Sequence, residues 1–223
     1  MEENERKKQT QRRDCFFRVG AMICAHPAAL IGICAVAAVV FWMGKFAVRE
    51  HKIQQEIASE VVRFRVKANS DTIRDQKIKL QVRDALLAQI NDLLEVSGCE
   101  SKEASEKLLE GQLSELQQTA VRTVTAAGSS DPVLVTFGKS YFPEKNYGDC
   151  TLPAGIYDAL QVTIGEGLGH NWWCMLYPSL CFADAFHPVL EEEGEAQLKL
   201  VLSEESYDYI LRNAEITFGF YWF

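Results

Sequence analysis

Hydrophobic and polar positions follow three periods along the chain, and each period predicts an element. From Ala21 to Met43 no residue carries a formal charge, and Ala, Val and Ile dominate. Only His26 and Pro27, near the start, interrupt the run. A helix rises about 1.5 Å per residue, so these residues can cross a hydrocarbon core about 30 Å thick. The run predicts a transmembrane helix over 21–43. Residues 44–60, with Lys45, Arg49, Glu50, His51, Lys52 and Glu56, read as a polar juxtamembrane stalk in helical conformation.

A period of two takes over at Val61-Val62-Arg63-Phe64-Arg65-Val66-Lys67. Such alternation marks a strand with one buried face, here Val62, Phe64 and Val66. Ala68-Asn69-Ser70-Asp71 ends it with turn chemistry, and Ser70, Asp71 and Thr72 can each cap a following helix. Helical spacing then returns in Ile78, Val82, Ala85, Leu86, Ile90, Leu93 and Leu94, with Lys77, Lys79, Arg83 and Asp84 largely off that stripe. Gly98 stops the helix. A second helix is expected over about 102–127, with Leu109, Leu113, Leu116, Ala120 and Val124 inward. The short Cys99-Glu100-Ser101 link makes the two an antiparallel hairpin.

Beyond Pro132 the pattern is mostly extended. Val133–Phe137 reads as a strand, and the turn-rich stretch from Tyr141 to Cys150 holds a second candidate. Pro153-Ala154-Gly155 introduces a short helix or helix–strand unit through Ile156, Leu160 and Ile164. Gln197–Leu202 reads as a strand, Glu204–Arg212 as a short helix, and an aromatic segment closes the chain. Strands around a helical hairpin predict an α+β class with a small, mostly antiparallel sheet. The expected organisation is a cytoplasmic basic segment (1–20), the transmembrane signal anchor (21–43), the stalk (44–60) and one exported domain (61–223).

Charge fixes orientation and excludes some partners. Arg6, Lys7, Lys8, Arg12, Arg13 and Arg18 precede the apolar run and predict a cytoplasmic N-terminus with the rest translocated. A cleavable signal would place its small-residue site after the apolar run, whereas Ala35-Val36-Ala37 lies inside it, so length favours an uncleaved anchor. Beyond residue 50, 15 Lys and Arg face 26 Asp and Glu, a formal charge of −11. Nucleic acid is a poor partner for such a domain. Gly165-x-Gly167-x-Gly169 lacks dinucleotide spacing, so a phosphate cradle is not expected; no cofactor or small-molecule ligand is expected either. The histidines show no metal-ligand spacing.

Candidate chemistry gathers at Asn171–Phe182, which holds two of the four tryptophans and two of the seven cysteines. Adjacent strand residues point to opposite faces, so one of Trp172 and Trp173 is expected buried and the other exposed as an interface anchor. Asn171, Trp172, Trp173, Tyr177, Pro178 and Phe182 are the candidate partner-binding residues. In an exported compartment Cys99, Cys150, Cys174 and Cys181 allow three pairings, and Cys174 with Cys181, flanking the Pro178 loop, is the expected disulfide. An alternative makes Cys174 the nucleophile of a cell-envelope hydrolase, with His170 or His187 as base and Asp184 or Asn171 orienting it. Asn69, Ser70, Asp71 and Asp75 read as a helix cap, and Arg83 with Asp84 as an ion pair.

Two separated blocks resemble a known family. Phe64-Arg65-Val66-Lys67-Ala68-Asn69-Ser70-Asp71, then Asp75-Gln76 and Lys79 to Asp84, is similar to the first signature of stage II sporulation protein R. Tyr147-Gly148-Asp149, Leu152-Pro153-Ala154-Gly155-Ile156-Tyr157-Asp158-Ala159-Leu160, Ile164-Gly165-Glu166-Gly167 and Asn171–Phe182 are similar to the second. The resemblance spans about 61–183 and gives Gly148, Asp149, Pro153 and Gly155 motif status. It implies a non-enzymatic signal in endospore formation, acting between the forespore and mother-cell membranes. The implied partner is a membrane-embedded mother-cell protease that processes the precursor of sigma-E. Arg65 stands where the family usually has histidine, which would remove any acid–base role there. Cys150 replaces a usual aliphatic residue, which makes it a poorer disulfide partner.

Overall fold

The computed structural model describes residues 27–99, 101–147, 150–178 and 192–214. The chain divides into two compact units, Met1–His51 and Lys52–Phe223. The described part of the first is helix α1 (Pro27–Glu60), which continues past the unit boundary. From Ile31 to Phe46 its large apolar side chains are exposed, Trp42 to 69%. The helix is long and apolar enough to cross a membrane.

The second unit is α+β. Strands β1 (Val62–Lys67), β2 (Val133–Phe142), β5 (Gly155–Ile164) and β6 (Asn171–Tyr177) form one sheet in the order β2-β5-β1-β6. Strands β3 (Lys145–Tyr147) and β4 (Cys150–Leu152) form a separate hairpin. The β1–β5 pair is parallel, while β1–β6, β2–β5 and β3–β4 are antiparallel. Between β1 and β2 lie α2 (Ile73–Ser97), α3 (Lys102–Gly111) and α4 (Leu113–Ala126). Helices α5 (Glu192–Val201) and α6 (Glu204–Ala214) follow β6.

The sheet carries a core on each face. Val62, Phe64 and Val66 pack with Val82, Leu86, Ile90, Leu116, Ala120 and Val124 of the helices, joined by Leu160 and Val162 of β5. On the opposite face Tyr157, Ala159 and Met175 pack with Ile53 and Ile57 at the end of α1, Leu152 of β4, and Leu198 and Ile210 of α5 and α6. Thr72 caps α2 by accepting from the Asp75 N–H, and Gly98 terminates it.

Five expectations change. The second hairpin helix is two helices, broken at Gly111-Gln112. The short helix or helix–strand unit expected after Gly155 is a single strand, β5: spacing of four places Ile156, Leu160 and Ile164 on one side of a strand as readily as on a helix stripe. Gln197–Leu202 is helical, not extended; Leu198 and Leu202 are buried one turn apart while Leu200 is 85% exposed. Strand β1 is covered on both faces, so Arg63 is fully buried. In the same way Lys79 and Arg83 of α2, expected off its apolar stripe, are buried.

Candidate functional site

The turn after β1 and the glycine-rich turn before β6 are clasped together. Asn69 Oδ1 accepts from the Glu166 N–H at 3.0 Å, and its side-chain N–H donates to Asp75 at 3.1 Å. The Ala68 and Asn69 carbonyls accept from the N–H groups of Gly169 and Leu168. Asp71 Oδ1 accepts from the His170 N–H at 2.6 Å and lies 2.5 Å from His170 Nδ1. Lys79 Nζ donates to the His170 carbonyl at 3.2 Å and to Gln76 at 2.6 Å. Only glycine allows this approach: a Cβ on Gly165 (φ +58) would collide with the Asn69 side chain, and one on Gly169 with the Ser70 carbonyl.

The clasp favours the charged form of its two carboxylates, Asp71 and Asp75, but not that of Lys79. The His170 backbone N–H, helped by its ring, lowers the Asp71 pKa. The Ser70 hydroxyl, donating at 2.6 Å, lowers that of Asp75, with Asn69 adding to it. Burial, reinforced by Arg83, lowers the Lys79 pKa. Asn69, Ser70, Asp71 and Asp75 are thus more than a helix cap. They join the start of α2 to a loop about a hundred positions downstream. Gln76, Lys79 and His170 belong to the same network, and their polar character near the motif was the only sequence signal for it.

The clasp sets the start of β6, whose faces carry different chemistry. Trp172 meets Phe64 edge-on at 5.7 Å, with the Arg83 guanidinium 5.1 Å from its ring centre. Trp173 meets Phe142 at 4.9 Å on the other face. Both indoles are half-buried, so neither is the fully exposed anchor expected from alternation. Asn171 opens the strand, its Oδ1 buried with no hydrogen-bond partner. Tyr177 and Pro178 line a groove of about 470 Å³ with Leu94, Cys99, Leu176 and Leu200.

Cys174 is buried and disulfide-bonded, whereas Cys99 and Cys150 are free thiols. Burial pushes the Cys150 thiol up to about 12. Cys181 and Phe182, like Gly148, Asp149, Asp184 and His187, lie outside the described residues. Arg83 pairs with Asp84 at 2.6 Å. Pro153 accepts the Tyr157 hydroxyl at 2.6 Å, and Gly155 faces Gln54 so closely that a Cβ would collide with it.

Sequence periodicity gave no sign of the cations behind Trp173. Arg63 donates to the Cys174 carbonyl at 3.2 Å and to the Tyr147 hydroxyl at 2.8 Å, stacked over Phe142 at 4.6 Å. Arg65 hydrogen-bonds Gln161 and sits 5.4 Å from the Trp173 ring, and Lys145 sits 5.8 Å from it. Burial lowers the pKa of both Arg65 and Lys145, Arg63 adding to the effect on Lys145.

The family model described as stage II sporulation protein R matches residues 58–187, a span that contains the clasp and β6. A protein named "Stage II sporulation protein R" from Bacillus subtilis (strain 168) is 38% identical over 160 residues, covering 71% of this chain and 70% of that protein. No solved structure matches the chain.

Proposed function

Since this chain belongs to the stage II sporulation protein R family, with a role in sporulation, we propose that it is an exported signal that activates a membrane-embedded protease of the mother cell. Activation triggers processing of the sigma-E precursor. The N-terminus stays in the cytoplasm, α1 provides the membrane segment, and residues 61–223 act between the forespore and mother-cell membranes. The observation that carries this reading is the matched span itself, which joins the clasp and the aromatic strand in one unit. Partner contact falls to Asn171, Trp172, Trp173, Tyr177, Pro178 and Phe182, with the disulfide of Cys174, paired to Cys181, holding the end of the strand. Large aromatic side chains supply contact area at small entropic cost, and a constrained strand loses little further freedom on docking.

The protein acts by binding rather than by catalysis. A disulfide-bonded sulfur offers no thiolate, so Cys174 is unsuited to the nucleophile's role in an envelope hydrolase. The nearest imidazole in sequence, His170, has its Nδ1 against Asp71 on the clasp. Co-production of this chain with the protease and the sigma precursor in a non-sporulating host tests the proposal. Cleavage that depends on export of this chain supports it, and no cleavage with all three proteins present contradicts it.

A further inference from the structure

The sheet face behind Trp173 holds cations that nothing described in the domain neutralises. Arg63, Arg65 and Lys145 form a continuous group: Arg63 and Arg65 both lie over Phe142, at 4.6 and 5.8 Å, and Arg65 and Lys145 both lie over Trp173. Phe142 and Trp173 touch each other. Among the described residues none of the three cations has a carboxylate within ion-pair distance. Arg63 Nη1 and Arg65 Nε are buried without any hydrogen-bond partner, and the Arg63 side chain is fully buried.

Several other cations of the domain are paired with carboxylates. Lys102 meets Asp158 at 2.9 Å and Glu106 at 3.3 Å, Lys139 meets Asp158 at 3.2 Å, and Arg83 meets Asp84. With 26 acids against 15 bases beyond residue 50, carboxylates are in excess, yet among the described residues none pairs with these three cations. Holding buried cations without a counter-charge is costly, and an external anion would relieve it. We infer that Arg65, Lys145 and Trp173, backed by Arg63, form a docking site for a carboxylate-bearing peptide segment of a protein partner.

The geometry suits that occupant. Arg65 and Trp173 are direct cross-strand partners, and Arg65 also faces Gln161 of β5. These half-buried side chains put a guanidinium, an amide and an indole face on adjacent strands of the sheet, with the Lys145 ammonium over the indole from the β3–β4 hairpin. A planar guanidinium with free N–H groups matches a carboxylate, and an indole covers the aliphatic stem of Glu. A lipid surface fits less well, because a domain of formal charge −11 is repelled by anionic headgroups.

The inference rests on the reading of this chain as a protein-binding signal, and two measurements separate their failures. In the first, the full chain in phosphatidylcholine nanodiscs is titrated with a labelled hexaglutamate peptide. Wild type should bind with an affinity that falls as salt rises, and Arg65→Gln with Lys145→Gln should weaken binding about tenfold. Arg65→Lys should recover part of the loss, and an unchanged thermal midpoint shows the double variant to be folded. Equal affinity in wild type and double variant overturns the inference. So does binding to phosphatidylglycerol vesicles, but not to the peptide, that the same substitutions abolish. In the second, the double variant is placed in the co-production assay. Cleavage with wild type but not with the variant supports docking, while equal cleavage by both overturns docking and leaves the signalling role intact. No cleavage with wild type contradicts the signalling role, whatever the peptide binding.

Discussion

Asn69 engages two partners with a single amide, accepting from the Glu166 backbone and donating to Asp75. Asn69→Ala leaves a backbone N–H and a carboxylate short of one bond each. The expected cost is about 1–3 kcal/mol, read as a lower urea midpoint. Asp71 adds a pH dependence. Its folded pKa is depressed, so its contribution is fully present above the unfolded value of about 3.9 and is lost as pH falls through the folded value. His170 and Lys79 are the charged or titratable groups facing it. Asp71→Asn should therefore lower the thermal midpoint at pH 7, and that difference should shrink progressively as pH falls below about 4. A difference that stays the same from pH 7 down to pH 2 would show that the carboxylate charge does not hold the clasp. Side chains of the cap were legible in the sequence as cap residues. Their downstream partners were not, because those partners are mostly backbone N–H groups, which carry no residue identity.

At the scale of elements, β1, α2 and α6 form where their patterns place them, while short apolar windows fit two periods at once. Leu198, Leu200 and Leu202 alternate like a strand, but Leu198 and Leu202 also sit one helical turn apart, and the second core takes that pair. Leu198→Ala should cost about 2–5 kcal/mol. Leu200→Glu should stay within about 0.5 kcal/mol, because its side chain is already in water. Comparable losses in both variants would restore the strand reading. Alternation in β1 reports only that one face is apolar and says nothing of what covers the basic side. The β3–β4 hairpin, α5, α6 and the end of α1 cover that side with aromatic and aliphatic groups, and Arg63 stacks among them.

At the scale of the molecule, hydrophobic patterning and charge are enough to place the apolar N-terminal helix and an acidic, α+β remainder. They do not reveal where the second unit's core begins. Ile53 and Ile57 are buried in that core, and Glu56 accepts from the Ser203 N–H at 3.0 Å and the Ser206 hydroxyl at 2.9 Å at the start of α6. A chain beginning at residue 49 should fold, whereas one beginning at residue 61 should lose about 4 kcal/mol or more, seen by denaturant unfolding. Equal stability of the two fragments would contradict this placement of the core. The central claim is the signalling role, tested most directly by producing this chain, the membrane protease and the sigma precursor together in a non-sporulating host. Cleavage that requires export of this chain is the predicted result. An uncleaved precursor, with all three proteins present and this chain exported, would contradict it.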